Sequence, residues 1–286
     1  MRRKLVFAVF SVLVILAVAV SPAAAITGNF VKDFEHPFVG LIVFYDDNDV
    51  FLGRCSGSLL DPYNFLTAGH CVPGATRAII YFQQDAGVHF DPVTQIDPVT
   101  GYPEFCAGST LGSTCATATT IYSYGFPRPL PDRHDVALVV LDQPINLPEY
   151  GQLPEAGYLD QLATARGTQE VTFTSSGYGL TYKESAHNGK PNISFRERLM
   201  ALSTLTNLRS FLTDGFNLQA NGNGAGEGGT CNGDSGGPVF HGGYSSNLIV
   251  AVTSFGLNVL CRGTDFSYRV DQADVLAWLD AHMFTP

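Results

Sequence analysis

Short apolar runs, each cut off by Gly, Pro, Asn or Asp, constrain this chain more than any other feature. Phe38–Phe44, Ala78–Phe82, Val136–Leu141, Val171–Thr174 and Leu248–Thr253 are examples. They are rich in Val, Ile, Phe and Thr and bounded by turn residues, so they read as buried strands. Many such strands without alternating helices point to an all-β barrel or sandwich. The acidic stretch Asp46-Asp47-Asn48-Asp49 reads as a hairpin turn, since one acidic turn lacks the ligand set of a calcium loop.

Two stretches carry helical spacing. Glu155 to Arg166 places Leu159, Leu162 and Ala163 on one face and stops at Gly167. Asp271 to Met283 aligns Val275, Leu276, Leu279 and Met283, with Asp271 as the expected N-cap. The first lies near mid-chain between two strand-rich halves, where a linker between two barrels would lie. No internal repeat is visible. Asn221 to Gly237 is glycine-rich but lacks the Gly-Lys-Ser/Thr ending of a phosphate loop, which disfavours nucleotide binding. With 45% hydrophobic and 15% charged residues, the chain is not disordered and has the material for a sizeable core. Its one basic run lies in the first four residues, which argues against a nucleic-acid partner.

That basic run opens an export signal. Arg2, Arg3 and Lys4 precede a segment, Leu5 to Val20, that is apolar apart from Ser11; Pro22 and Ala23-Ala24-Ala25 follow. This is the pattern of a signal peptide cleaved after Ala25, in a protein that is then extracellular. As a membrane anchor the run falls short of the roughly 20 residues needed to span. Cleavage leaves a chain three units more acidic than the full chain's −10, a surface that repels DNA and acidic membranes. Six cysteines in an exported chain imply disulfides, with about 15 pairings open. No C-x-x-C spacing occurs, so a zinc site is a poor alternative, and no metal or organic cofactor is implied. Asn192-Ile193-Ser194 is a glycosylation sequon for a eukaryotic route. A monomer is expected.

Three local signals carry chemistry, in the order His, Asp, Ser. They are Thr67-Ala68-Gly69-His70-Cys71, Asp135-Val136-Ala137-Leu138 and Gly233-Asp234-Ser235-Gly236-Gly237-Pro238. A serine hydroxyl is a poor nucleophile at neutral pH; it needs a base, and a histidine base needs a carboxylate to fix its tautomer. Glycines around Ser235 let the backbone turn tightly about an exposed side chain.

On these motifs the chain resembles the chymotrypsin/trypsin-like secreted serine peptidases over nearly all of its length after the leader. The resemblance implies two six-stranded Greek-key β-barrels packed face to face, with a C-terminal helix. The expected division is a signal peptide (1–25), an N-terminal barrel with His70 and Asp135 (26–145) and a linker with a short helix (146–168). A C-terminal barrel with Ser235 (169–270) and a terminal helix (271–286) follow. It implies that Ser235 is the nucleophile, His70 the general base and acid, Asp135 the orienting carboxylate, and the backbone N–H groups of Gly233 and Ser235 the oxyanion hole. His134, Asp135's neighbour, is expected to face elsewhere, because successive strand side chains alternate. The implied disulfides are Cys55–Cys71, Cys106–Cys115 and Cys231–Cys261.

Members of that family are switched on when a new N-terminus pairs with the Asp before the nucleophile. Here Ile26-Thr27-Gly28-Asn29 follows the signal peptide and Asp234 is the matching carboxylate, so Ile26 and Asp234 form the expected activation pair. The implied substrate pocket involves Gly229, Thr230, Asn232, Ser254, Phe255, Gly256 and Asp265. Gly229 stands where trypsin-type enzymes carry Asp, which favours large apolar or aromatic residues. One register puts Asp265 on the pocket floor, which favours Arg or Lys; both registers stay open. No basic residue is seen in place for acidic substrates. Expected partners are protein or peptide substrates and protein protease inhibitors. The alternative is a non-catalytic homologue that binds a partner. The α/β-hydrolase esterases fit poorly, since they use Gly-x-Ser-x-Gly and the order Ser, Asp, His.

Overall fold

The computed structural model describes residues 27–86, 115–162, 170–181, 195, 197–224, 226–258 and 260–286. The signal-peptide segment, Ile26, Cys106 and the sequon at Asn192 lie outside the described residues.

After two short strands, β1 (Thr27–Gly28) and β2 (Phe30–Lys32), the chain builds an antiparallel sheet from seven segments. These are β3 (Val39–Tyr45), β4 (Phe51–Leu59), β5 (Asn64–Thr67), β6 (Arg77–Tyr81), β7 (Cys115–Ala118), β8 (Thr120–Ser123) and β9 (Ala137–Val140). Their order is β7-β6-β3-β4-β5-β9-β8. Only Thr119 separates β7 from β8, so the two ends of the sheet are one bent strand. The sheet therefore closes as a six-stranded barrel, as expected.

The second sheet uses β10 (Thr172–Gly177), β11 (Leu199–Asn207), β12 (Asn217–Asn221), a two-residue β13 (Gly228–Gly229) that pairs elsewhere, β14 (Pro238–His241), β15 (Ile249–Gly256) and β16 (Thr264–Arg269). Its order is β10-β14-β15-β16-β12-β11-β2, and an added β10–β11 pairing closes the ring. β2 then sits outside the six-membered ring, on β11. β13 pairs with β1.

All seven residues of β3 are buried, because the largest apolar cluster spans both barrels. It runs from Phe38, Phe44, Phe65 and Leu138 across to Phe240, Val252 and Tyr268. Phe38 meets Phe240 edge-on at 6.0 Å. A strand covered on both sides reads as a continuous apolar run rather than an alternating one. Asp46 to Asp49 forms the β3–β4 turn: the Asp46 carboxylate accepts the N–H groups of Asn48 and Val50, at 2.9 and 2.8 Å.

The expected C-terminal helix is present, but its cap and the mid-chain helix are corrected. The terminal helix α1 spans Ala273–His282, with Gln272 at the N-cap and no side-chain cap. Asp271 does not cap it, because its carboxylate is taken by the buried Arg269 guanidinium (2.8 and 2.9 Å) and the Leu159 N–H (2.8 Å). A bidentate charge-assisted pair outcompetes a neutral cap. Mid-chain, Tyr158–Leu162 is a 3-10 turn that buries Leu159 against Phe173 and Val250; positions 163–166 lie outside the described residues. Among the described residues, no helix is long and apolar enough to cross a membrane.

Candidate active site

His70 and Asp135 are 65 residues apart, and sheet pairing brings them together. β5 pairs with β9 so that Thr67 lies opposite Ala137. His70 leaves β5 in a 3-10 turn (Gly69–Cys71), and Asp135 stands two residues before β9. Asp135 is 1% exposed. Its Oδ1 accepts the His70 backbone N–H at 2.7 Å, and its Oδ2 lies 2.9 Å from His70 Nδ1. Ser254 on β15 donates its hydroxyl to the same Oδ2. Burial pushes the Asp135 carboxyl up, but the hydrogen bonds and charge of His70, with the Ser254 hydroxyl, outweigh it and hold the carboxyl below its ordinary value. An ionised carboxylate can only accept, so Nδ1 carries the proton and Nε2 is left as the basic nitrogen of the neutral ring.

The Cys55–Cys71 disulfide fastens this turn to β4. Although Cys55, Cys71 and His70 cluster, the two sulfurs are consumed by the bond. His134 turns away, as expected: its ring stacks on Tyr124 at 4.3 Å and its Nε2 sits 3.0 Å from Asp132.

Ser235 is half-buried on the loop between β13 and β14. β4 holds it from one side, the Ser56 N–H donating to the Ser235 carbonyl at 2.8 Å. β15 holds it from the other, the Gly236 N–H donating to the Thr253 carbonyl at 2.8 Å. Gly236 has φ +77°, and an added Cβ would come within 2.6 Å of the Ala68 nitrogen. The loop thus presses on the backbone just before His70, a contact only glycine allows. No hydrogen bond joins His70 to Ser235 among the described residues; such contacts tighten when substrate binds.

Neither the Gly233 nor the Ser235 backbone N–H donates to a protein group among the described residues. The Asn232 carbonyl, in the same peptide as the Gly233 N–H, accepts from the Leu180 N–H at 2.9 Å. In a trans peptide the two groups point oppositely, so the Gly233 N–H faces away from that partner. Gly233 itself has φ +96°, which other residues rarely adopt.

Beside Ser235 opens a cavity of about 360 Å³. Thr230, Asn232, Ser254, Phe255, Gly256 and Asp265 all line it, as the sequence suggested, and Gly229 is not among its lining residues. Gly229 is buried in β13, opposite Thr27. Asp265 lies opposite Gly256 across the β15–β16 pair, and its Oδ2 accepts the Thr230 N–H at 2.6 Å. Burial raises its carboxyl to about 6, against the lowering by the Thr230 hydrogen bonds. Thr253, Leu257, Asn258 and Arg262 also line the cavity, and sequence reasoning missed them. Arg262 corrects the expectation that no basic residue would stand there. Thr253 Oγ1 is buried without a hydrogen-bond partner among the described residues. The far wall is fastened by the Cys231–Cys261 disulfide. The third expected bond has its Cys106 end outside the described residues.

Beneath Ser235, the Asp234 carboxylate accepts the N–H groups of Gly179 (2.8 Å) and Cys231 (2.9 Å). Burial raises it to about 7, the two N–H groups working against this and nearby Asp265 adding to it. β1 brings the chain to this region through the Thr27–Gly229 pair. Ile26, one residue upstream, lies outside the described residues.

Residues 32–279 match the protein-family model described as Trypsin. The chain is 29% identical over 262 residues to Serine protease 7 of Drosophila melanogaster, covering 88% of this chain and 63% of that protein. It therefore spans less than two thirds of that relative's length. Among solved structures, HL collagenase aligns with a TM-score of 0.58 at 17% identity, covering 92% of this chain and 97% of that one. Human heparin binding protein aligns at 0.59 and 20% identity, covering 90% and 96%. A scabies mite inactivated protease paralogue aligns at 0.55 and 16% identity, covering 91% and 98%. At these identities the solved structures bear on the fold alone, and it is the fold described here.

Proposed function

The chain belongs to the trypsin family, and on that premise we propose that it is a secreted serine endopeptidase working through an acyl-enzyme on Ser235. The observation that carries this reading is the buried Asp135 gripping His70 through two hydrogen bonds next to the Ser235 loop. His70 Nε2 takes the proton of the Ser235 hydroxyl as Oγ attacks the scissile carbonyl carbon. The carbonyl π electrons move to oxygen, and that oxyanion accepts from the unused N–H groups of Gly233 and Ser235. His70 then returns the proton to the leaving amine as the C–N bond breaks. Water, deprotonated by the same nitrogen, releases the acid and restores Ser235. The backbone of Ser254 and Gly256 pairs with the substrate main chain as an added strand.

The cavity is the pocket for the side chain preceding the cleaved bond, and Asp265 selects Arg or Lys there. In support, Asp265 lines the pocket that Ser235 also lines and is ionised above about pH 6. The segment up to Ala25 is read as a secretion signal, and cleavage there frees the Ile26 amine to pair with Asp234 without a separate propeptide. Secretion accords with the disulfides.

The test is the intact mass of the secreted protein before and after a fluorophosphonate probe. A chain starting at Ile26 that gains one adduct, lost in Ser235→Ala, is the expected result. No adduct on a chain starting at Ile26 would make it a binding homologue. A probe-resistant chain with a different start would be an unprocessed zymogen.

A further inference from the structure

Ser56 is fully buried on β4, one residue after Cys55, and its side chain reaches into the loop that carries Ser235. Its hydroxyl donates to the Gly233 carbonyl at 2.8 Å and accepts the Tyr178 N–H at 2.9 Å. Its backbone N–H donates to the Ser235 carbonyl at 2.8 Å. One residue of the first barrel therefore holds both residues whose N–H groups await the oxyanion.

Glycine has little steric barrier to rotation about its own φ and ψ, so Gly233 keeps φ +96° only because its neighbours are tied. The peptide before it is tied by the Leu180 N–H on the Asn232 carbonyl. The peptide after it is tied by the Ser56 hydroxyl on its carbonyl and by the Cys231 carbonyl on its N–H, the Asp234 N–H, at 3.1 Å. Tyr178, whose N–H Ser56 accepts, starts the short rail that continues with Gly179 on Asp234 and Leu180 on Asn232. Removing the hydroxyl frees one flank of Gly233 and the first rung of that rail together. It leaves His70, Asp135, Ser254 and the pocket contacts as they are.

We infer that Ser56 is a positioning residue for the oxyanion hole, its side-chain hydroxyl fixing the direction of the Gly233 N–H from the opposite barrel. The inference rests on the endopeptidase reading above. Ser56 acts through Gly233 and touches no reacting atom, so its loss shows in the transition state and not in substrate binding.

The experiment compares the processed enzyme with Ser56→Ala and Ser56→Gly, both of which keep the backbone N–H on the Ser235 carbonyl, so that either serves should the other fail to fold. Amide hydrolysis is measured alongside binding of a peptide boronate, which forms a tetrahedral oxyanion adduct on Ser235, and of the same peptide as its carboxamide. Expected are a fall in kcat of about tenfold, or about 1.4 kcal/mol, KM within about twofold, boronate affinity weakened by a similar factor and carboxamide affinity unchanged. An unchanged kcat, or boronate and carboxamide affinities falling together, would overturn the positioning role while leaving the peptidase reading intact. A wild-type enzyme that neither hydrolyses the peptide nor binds the boronate overturns that reading first, and this inference with it.

Discussion

Asp265 reaches the pocket through strand register: β16 sets it opposite Gly256 on one side and Ala220 on the other, and the Thr230 N–H holds its Oδ2. Because burial raises its carboxyl to about 6, the charge is present above that pH and lost below it. The kcat/KM ratio of an Arg substrate to its Phe counterpart should therefore fall as pH drops through about 6, with His70 titration cancelling between the two. Asp265→Asn should abolish that dependence and lower the ratio by about a hundredfold or more, since breaking a buried charge pair costs about 3–5 kcal/mol. A ratio flat from pH 5 to 8 in the wild type would refute the assignment. The sequence left this residue between two registers because the β15–β16 hairpin is bulged between Thr253 and Phe255 and short after Cys261. Arg262 was missed for the same reason. His70 and Ser235 stood out because each sits in a distinctive local motif, and Asp135, weak by itself, stood out through its place between them in the order His, Asp, Ser. Ser56 did not, since its role depends on a partner 177 positions away.

At the scale of elements, burial made the strands legible and their ends were not. Phe38–Phe44 marks β3 and Leu248–Thr253 marks β15, yet the latter runs on to Gly256, because Phe255 and Gly256 still pair with Phe266 and Asp265 of β16. β1 and β13 hold two residues each and leave no periodicity to read. The helix cap was misassigned because a buried arginine 2 positions away claimed Asp271. The Cys55–Cys71 bond joins the strand bearing Ser56 to the turn bearing His70, closing a loop of 16 residues. Replacing both cysteines by Ala should cost roughly 3 kcal/mol by the loop-entropy model. At about 2–4 °C per kcal/mol that lowers the melting temperature by roughly 6–12 °C, read by calorimetry. A melting temperature within a degree of wild type would show that packing alone holds the turn.

For the whole molecule, two six-stranded rings follow from the family resemblance, whereas the strand count alone allowed a sandwich. What ties the N-terminal segment to the site is the β1–β13 pair, five residues before Asp234 in the chain. On the proposed Ile26–Asp234 pairing, an Ala placed before Ile26 in the processed protein should abolish most of the amide hydrolysis, by about a hundredfold or more, because a buried ion pair broken on one side costs about 3–5 kcal/mol. Full activity in the Ala-extended protein, measured by active-site titration, would sink the switch. The closure of both rings has a separate consequence. Unpaired strand edges are templates for another chain to zip onto, and a bent β7–β8 strand and the β10–β11 pair remove them from the two main sheets. The edge added by β2 is three residues long and ends on Lys32, which is paired with Glu197. Among the described residues, the two main sheets of a chain this rich in apolar strands thus offer a second copy only this short, charge-tipped edge.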